Sequence, residues 1–300
     1  MLSVTANPEL SARTTLRLGG IAIAEIVARS VADLEALPET ARRLGGTVRV
    51  LGRGSNILAR DGQLPIVLLR PDFPGEPEVL SKKPDHALIC VGTGIGLPRL
   101  LGRLAEWGLS GLEGLAGIPG TVGGALAMNA GSYGVEFCAK LHSARVFSPE
   151  KGLLDIPAGE IRFDYRAFNI PGVTDGAWFV ATHCTLQLER RDPGRCTRAL
   201  RETFSKKKAS QPISARSAGC VFKNPTGYLP AGKLLDLAGV KGMSAGALIF
   251  SGMHANFLIN GASSGKSGGT AEQALLLMEL AARAVRATFG IGLVPEILIW

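Results

Sequence analysis

The sequence predicts an α+β protein of at least two domains, with many short strands and few long helices. Its 300 residues exceed one ordinary domain of ~100–200 residues. Apolar residues make up 46% of the chain and charged residues 19%, which fills sizeable cores and excludes a disordered or fibrous chain. Short apolar runs alternate with turns rich in glycine, which accounts for 39 residues, and helical patterns interrupt them.

Several apolar runs have the length and the flanking turns of β-strands. They are TVRVLG (47–52), PIVLL (65–69), ALICVG (87–92), WFVATHCTLQL (178–188) and the closing VPEILIW (294–300).

Two segments show helical spacing of apolar residues with end signals. LPRLLGRLAEWG (97–108) predicts a helix that stops at Gly108. TAEQALLLMELAARAVRATFG (270–290) predicts the longest helix, with Thr270 and Gln273 as a capping box. A third, charged helical segment covers 196–212 and breaks at its proline. We therefore place a domain boundary near residue 207, and a weaker one where prolines crowd between residues 71 and 77.

Composition excludes several classes of protein. No apolar run approaches the ~18 residues of a membrane span, and the N-terminal segment lacks the features of a signal peptide, so we expect a soluble, cytoplasmic chain. The five cysteines form no C-x-x-C pair and the four histidines fit no metal spacing, so we expect no metal and no disulfide framework.

The net charge of +8 suits an acidic partner, although ordinary solubility explains it equally well. Few aromatic residues flank the basic run Lys206-Lys207-Lys208, which argues against a groove for single-stranded nucleic acid. A ligand that carries phosphates is therefore favoured over nucleic acid or a membrane.

The first chemical signal is LGRGSNILARDG (51–62), in which a predicted strand runs into glycines. Gly52 and Gly54 let successive N–H groups converge on an anion, and Ser55 and Asn56 add side-chain donors. This pattern predicts a phosphate cradle. A hairpin turn is the alternative.

The second signal is GLEGLAGIPGTVGGALAMNAGSYG (111–134), which has eight glycines and almost no charge. Such a stretch is poor core material and favours close approach to a flat or extended ligand. A tight loop packed against a neighbouring domain is the alternative.

The glycines that follow the predicted strand 87–92 do not match the G-x-G-x-x-G fingerprint of nicotinamide-binding folds. After Gly92 and Gly94, the third glycine would fall at position 97, which is leucine. Gly265-Lys266-Ser267 lacks a P-loop context and predicts a surface loop.

Isolated polar residues in apolar surroundings form the third signal. They are Tyr165 and Arg166 in RFDYRAFNI, Cys220 in SAGCVFKNP, and Glu296 in VPEILIW. Each also has a structural explanation: an ion pair for Arg166, an ordinary buried thiol for Cys220, and the solvent face of an edge strand for Glu296.

Together these segments resemble the UDP-N-acetylenolpyruvoylglucosamine reductases, in their short form. The resemblance rests on TTLRLGG, LGRGSNILARDG, GLEGLAGIPGTVGGALAMNAGSYG, FDYR, SAGCVFKNP, HANFLIN and the closing PE. It implies a two-lobed FAD-binding domain of the vanillyl-alcohol-oxidase type, with lobes at 1–71 and 72–207. A smaller α+β substrate-binding domain would follow at 208–300. It also implies non-covalent FAD, NADPH as co-substrate, and reduction of an enolpyruvyl UDP-sugar to UDP-N-acetylmuramate for peptidoglycan synthesis.

The resemblance assigns roles to residues of this chain. Cys220 takes the position of the proton donor, with Arg166 and Glu296 as its catalytic partners. Substrate would be bound by Tyr165, Lys208 and Asn224. FAD would be held at the diphosphate by Gly52, Gly54, Ser55 and Asn56, and at the flavin by Gly117, Ile118, Gly120, Thr121, Gly123, Gly124 and Asn129.

Three positions depart from the family pattern: Asp164, Phe168 and Met253. The first two fall in the Arg166 loop. Two alternatives remain open beside the resemblance. One is a flavin oxidase of alcohols or 2-hydroxy acids on the same fold, and the other is a flavin- or nucleotide-sugar-binding protein without turnover.

Overall fold

The computed structural model describes residues 2–73, 75–261 and 268–300. Gly265-Lys266-Ser267, expected to form a surface loop, lies outside these residues. The chain forms two compact units. The first contains residues 1–6, 23–53 and 65–207, and the second contains residues 7–22, 54–64 and 208–300.

The helices of the described residues are α1 (Val31–Leu44), α2 (Leu97–Glu106), α3 (Val122–Ala127), α4 (Pro193–Ser210), α5 (Ala231–Leu237) and α6 (Ala271–Phe289). The first strands along the chain are β1 (Ser3–Ala6), β2 (Ile21–Ala28), β3 (Thr47–Val50), β4 (Ile57–Leu58), β5 (Gln63–Pro71), β6 (Glu78–Lys82), β7 (His86–Gly92), β8 (Leu109–Ser110), β9 (Gly131–Ser132) and β10 (Val135–Glu136). The strands that follow are β11 (Leu141–Ser148), β12 (Gly152–Pro157), β13 (Arg162–Asp164), β14 (Ala167–Asn169), β15 (Val180–Arg190), β16 (Ser217–Cys220), β17 (Ser244–Ala245), β18 (Leu248–Phe250), β19 (Phe257–Asn260) and β20 (Leu298–Ile299).

The first unit begins with a small sheet in the order β1-β2-β5-β3. The strands expected at 47–52 and 65–69 are confirmed as β3 and β5, which pair in parallel. Helix α1 begins at a capping box between Ser30 and Asp33, and its Leu34 and Leu37 are buried in the core of this sheet.

A second sheet of the same unit has the order β12-β11-β15-β7-β6, with β8 also paired to β15. The strands expected at 87–92 and 178–188 are confirmed, and they pair with each other antiparallel as β7 and β15. Helices α2 and α3 bury Leu100 and Leu126 in the core of this sheet. The helix expected at 97–108 is confirmed, and Gly108 follows it with φ +67°.

The glycine-rich segment 111–134 differs from the expectation of poor core material. Helix α3 lies inside it, and Leu115, Val122 and Leu126 are buried in the core of the first unit. Apolar residues of the segment pack inward, and among its glycines Gly124 is exposed whereas Gly114 and Gly120 are buried.

The second unit contains the sheet β16-β19-β18-β17, whose core is shared with α5 and α6. The helix expected at 270–290 is confirmed, with its capping box at Thr270 and Gln273 and a left-handed Gly290 at its end. The strand expected at the C-terminus is confirmed as β20, which pairs in parallel with β4. None of the described helices combines the length and the apolar character needed to cross a bilayer.

Candidate functional site

The two glycine motifs meet within the first unit, at the N-terminus of α3. Strand β3 ends beside Leu51, whose N–H donates to the carbonyl of Leu69 over 2.8 Å. Next to it, a Cβ on Gly52 would lie only 2.8 Å from Thr121 Oγ1. Thr121 is the N-cap of α3, and its hydroxyl accepts from the N–H of Gly124 over 3.2 Å. Glycine at position 52 is therefore required by close approach of the two motifs.

The first amides of α3 are already engaged by the protein. The N–H of Val122 donates to Ile95 O over 2.9 Å, and that of Gly123 donates to Thr93 O over 2.9 Å. Gly124 is exposed, and a Cβ there would meet only Thr121 Oγ1 at 3.6 Å. This edge of α3 thus offers a bare, flat backbone surface rather than a set of anion-binding N–H groups.

Gly117 and Gly120 need glycine for backbone reasons, because their φ values are +79° and +130°. A Cβ on Gly117 would also lie 3.1 Å from Lys207 Cδ. Lys207 is 2% exposed and its Nζ lies 5.5 Å from the centroid of the Tyr133 ring. Lys207 thus lies against the glycine-rich segment, whereas the expected ligand Lys208 is exposed and belongs to the second unit.

The sequence does not reveal that Lys207 is the buried lysine, because three lysines follow one another in the run 206–208. In a helix, successive side chains point about 100° apart, so only one of the three can face a given neighbour. The helical phase of α4 selects Lys207, and its buried residues Cys196 and Lys207 reveal that phase.

Asn129 organises the loop that carries Arg166. It is 1% exposed and has φ +37°. Its Oδ1 accepts from the N–H of Cys138 over 3.1 Å, and its Nδ2 donates to Glu136 Oε2 over 3.0 Å and to Asp164 O over 3.2 Å. The amide therefore ties the β9–β10 region to the β13–β14 hairpin.

Arg166 stands at the turn of that hairpin in the left-handed region, with φ +58°. Its Nη2 donates to Gly131 O over 3.1 Å, and its guanidinium carbon lies 4.8 Å from the centroid of the Tyr165 ring. A Cβ on Gly131 would approach Arg166 Nη1 to 3.0 Å, so glycine there admits the guanidinium. The structure thus brings Tyr165 and Arg166 together with the glycine-rich segment.

The two departures in this loop have local explanations. Asp164 Oδ1 accepts from the N–H of Tyr165 over 2.6 Å and so helps to form the turn. Phe168 is buried and stacks on Phe179 with ring centroids 5.9 Å apart. Met253, the third departure, is 53% exposed in the second unit.

Within the second unit, the main chain of Glu296 pairs with the residue that follows Cys220. Cys220 ends β16 and pairs with Phe257 of β19. The next residue, Val221, accepts at its carbonyl from the N–H of Glu296 over 2.7 Å. The expected catalytic pair therefore comes from the two ends of the C-terminal domain.

The second half of the first glycine motif supports this pair. Asn56 Nδ2 donates to Glu296 O over 3.3 Å, and Asn56 O accepts from the N–H of Leu298 over 2.9 Å. Thr15 donates through its N–H to Gly54 O over 3.1 Å and through its hydroxyl to Ser217 O over 2.6 Å. The phosphate contact expected of Asn56 stays a prediction, whereas these contacts of Asn56 and Thr15 were not predictable, because pairings across 200 residues leave no local signal.

Asn224 has a structural partner too. Its Oδ1 accepts from the N–H of Ala231, the first residue of α5, over 2.9 Å. Its expected role as a substrate ligand stays a prediction.

Burial separates the cysteines chemically. It raises the pKa of the Cys138 thiol to about 12 and raises the pKa of Cys184 further. Both are buried, whereas Cys220 is half-buried. Among the cysteines of the described residues, Cys220 and Cys90 are thus the accessible thiols.

Comparisons with known proteins agree with this arrangement. Residues 22–154 match the model of an FAD binding domain, and residues 211–300 match that of the UDP-N-acetylenolpyruvoylglucosamine reductase C-terminal domain. The UDP-N-acetylenolpyruvoylglucosamine reductase of Nitratidesulfovibrio vulgaris is 47% identical over 299 residues, which are 100% of this chain and 99% of that protein. That of Oleidesulfovibrio alaskensis is 47% identical over 99% of this chain and 98% of its own. The crystal structure of the reductase from Thermus caldophilus matches with a TM-score of 0.81 and 32% identity over 100% of both chains. The expected order of an FAD-binding domain and a C-terminal reductase domain is confirmed.

Proposed function

Because this chain belongs to the UDP-N-acetylenolpyruvoylglucosamine reductase family, we propose that it reduces the enolpyruvyl ether of that UDP-sugar to the lactyl ether of UDP-N-acetylmuramate. It is an FAD-containing oxidoreductase, and NADPH is its proposed reductant. The product is a peptidoglycan precursor, and the proposed site of action is the cytoplasm.

The glycine surface of the first unit fits FAD. Gly124 is exposed and a Cβ there would meet only Thr121 Oγ1 at 3.6 Å, so its backbone is open to a flat ligand, and Gly117 and Gly120 have backbone angles that only glycine adopts readily. The residues proposed to hold the flavin from the glycine-rich segment are Gly117, Ile118, Gly120, Thr121, Gly123, Gly124 and Asn129. Those proposed for the diphosphate are Gly52, Gly54, Ser55 and Asn56. Bound FAD supplies hydride transfer from NADPH to the substrate.

Arg166 is proposed to neutralise the substrate carboxylate, on which charge builds as an enolate when hydride adds to the neighbouring carbon. Its planar fork suits a carboxylate. The contacts with Gly131 O and the Tyr165 ring fix the guanidinium before substrate arrives, which lowers the reorganisation that charge stabilisation requires. Asn129 supports Arg166 indirectly, because its Nδ2 donates to Asp164 O in the same hairpin.

Cys220 is the proposed proton donor to the second carbon. A thiol with a reference pKa of ~8.5 is mostly protonated at neutral pH and can donate. Glu296 is the proposed partner that hydrogen-bonds the enolate, and its N–H donates to the carbonyl of Val221, the residue after Cys220. Tyr165, Lys208 and Asn224 are the proposed substrate ligands, and the net charge of +8 suits three diphosphate ligands.

The observation that carries the proposal is the 47% identity over the full length of a reductase, in a chain whose Glu296 N–H bonds to the carbonyl of Val221, the residue after Cys220. The presence of Cys220, Arg166 and Glu296 in one chain disfavours a mere binding protein, which has no use for a proton donor and its partners.

The test is an anaerobic visible spectrum of the purified holoprotein. We expect flavin absorbance near ~450 nm to bleach with NADPH and to return on adding the enolpyruvyl UDP-sugar. UDP-N-acetylglucosamine, which lacks the enol ether, is the matched control and should leave the flavin bleached. Reoxidation by oxygen alone would indicate an oxidase, and failure to bleach would indicate a binding protein; either result overturns the proposal.

A further inference from the structure

The segment from Cys220 to Lys223 is held by main-chain hydrogen bonds from one side. Glu296 N–H donates to Val221 O over 2.7 Å, and Lys223 N–H donates to Val294 O over 2.8 Å. These two bonds form a short ladder between the proposed proton donor and the C-terminal segment.

The opposite side of this segment is held by Asn256. Its main-chain oxygen accepts from Val221 N–H over 2.8 Å. Its side-chain Oδ1 accepts from Phe222 N–H over 2.9 Å, and its Nδ2 donates to Phe222 O over 2.8 Å. Asn256 is 2% exposed, so water does not compete for these bonds.

The side chain substitutes for a strand at the point where strand pairing ends. The register of β16 against β19 shifts between Ser217 and Cys220, and Gly219 has φ +78°. After Cys220 pairs with Phe257, the ladder does not continue to Phe222. The primary amide supplies the acceptor and the donor that the next strand residue would have supplied.

We propose that Asn256 is a positioning residue for Cys220: its amide fixes the Val221–Phe222 main chain against the Val294–Glu296 segment and so fixes the position of the thiol that precedes it. This inference rests on the proposed function of Cys220. Asn256 is assigned no contact with the substrate.

His254 is a titratable neighbour of Asn256. His254 Nδ1 accepts from Asn256 N–H over 3.2 Å, and the His254 ring lies edge-on to Phe257 with centroids 5.0 Å apart. Burial lowers the pKa of His254, which favours the neutral ring that accepts this bond. Lys241 and Asp236 act on His254 electrostatically, with opposite signs. Wild-type profiles measured in parallel account for all these groups.

The first test is Asn256→Asp, which preserves the shape of the side chain. An ionised carboxylate accepts from Phe222 N–H but cannot donate to Phe222 O, whereas the protonated acid can do both. Burial raises the pKa of such a carboxyl above its usual ~3.9. We therefore expect reoxidation by the enolpyruvyl UDP-sugar to slow by about 10- to 100-fold at about pH 8 and to recover on acidification to about pH 6. The rate of flavin reduction by NADPH should be unchanged at both pH values.

A second variant, Asn256→Ser, guards against a folding defect specific to a buried carboxylate. Its hydroxyl is too short to reach both groups of Phe222, and it does not titrate. We expect it to slow the same step without recovery at low pH.

The second readout needs neither FAD nor turnover. The alkylation rate of Cys220 by iodoacetamide is measured on the apoprotein by peptide mass spectrometry. We expect the ratio of Asn256→Asp to wild type to rise several-fold at about pH 8 and to fall towards one at about pH 6. Cys90, half-buried on β7 of the first unit, is the internal control and should keep a ratio of one.

Asn260→Asp is the matched variant. Asn260 is also buried on the same stretch, but its Nδ2 donates to Leu16 O over 3.1 Å. It should lower stability while leaving the ratio of the two half-reactions at the wild-type value. The inference is wrong if both half-reactions of Asn256→Asp fall together, or if Asn260→Asp produces the same split. If wild-type flavin is not reoxidised by the UDP-sugar, the proposed function fails, and Cys220 alkylation alone then decides whether Asn256 positions the thiol.

Discussion

Replacing Gly124 with alanine should have opposite effects on the empty protein and on cofactor binding. Gly124 is exposed in α3, and its new Cβ would make one ordinary contact, 3.6 Å from Thr121 Oγ1. Gly123 gives a less clear result, since its Cβ would approach Thr93 Cβ to 3.1 Å and strain the fold itself. A matched control is Gly102 of α2, where a Cβ would meet nothing within 4 Å.

The two magnitudes follow from different physics. Alanine in place of a helical glycine stabilises a protein by about 0.5–1 kcal/mol, so both variants should raise the Tm of the apoprotein by about 1–4 °C. If flavin lies against Gly124, the methyl group overpacks that contact. The usual cost of overpacking is about 1–3 kcal/mol, which corresponds to about a 5- to 150-fold weaker Kd for FAD. Gly102→Ala should leave the Kd unchanged, and Gly124→Val should weaken it further.

Thermal unfolding followed by circular dichroism measures the first effect, and titration of the apoprotein with FAD by fluorescence quenching measures the second. Wild-type affinity in Gly124→Ala would refute placement of the flavin on this edge of α3. A lower Tm in Gly124→Ala alone would refute the conclusion that the fold tolerates a side chain there.

Three further outcomes follow from the structure. Cys220→Ala should spare bleaching of the flavin by NADPH but slow its reoxidation by the UDP-sugar by about 10²–10⁴-fold in stopped-flow absorbance. Cys220→Ser should restore much of the reoxidation rate. An unchanged reoxidation rate in Cys220→Ala would show that another group donates the proton. Asp61→Ala should lower the free energy of unfolding by about 1 kcal/mol in urea titrations. The reason is that the Asp61 carboxylate accepts from Ala271 N–H and Glu272 N–H, each over 3.1 Å, at the start of α6. No change would mean that the Thr270 cap alone is enough to stabilise this helix end. Burial lowers the pKa of His254 below its unfolded value of ~6.5, so the unfolded chain binds more protons than the folded chain as the pH falls below that value. The free energy of unfolding should therefore decline below about pH 6.5, and an equal decline in His254→Gln would assign the effect to other groups.

Local patterns account for the parts of the fold that were predictable. The capping box of Thr270 and Gln273 lies within four residues, and the apolar content of 87–92 and 178–188 predicts each strand from its own sequence. The pairing of those two strands was not predictable, because nothing within either run encodes its partner.

The family resemblance assigned the site as a set of residues whose roles stay predictions, and the contacts among those residues were not predictable. Glycine, arginine and cysteine in long ordered motifs carried the family resemblance. The burial of Lys207 and the exposure of Lys208 depend on helical phase, and the engagement of the Asn129 amide depends on residues up to 35 positions away. Such positions were assigned to ligands because a buried polar side chain and a ligand-binding one have the same appearance in sequence.

The division of the second unit into residues 7–22, 54–64 and 208–300 has a consequence for biosynthesis. Leu16, Leu18 and Leu58 are almost completely buried in the same core as Phe250, and β4 is the partner of β20. At translation rates of about 5–20 residues per second, these early segments remain exposed on the ribosome for roughly 10–60 s, until the residues that pack over them have been synthesised. During that interval their leucines are candidates for chaperone capture. A fragment of residues 208–300 expressed alone would, conversely, expose the surface that those leucines normally cover, and it should aggregate unless a peptide containing residues 7–22 is supplied.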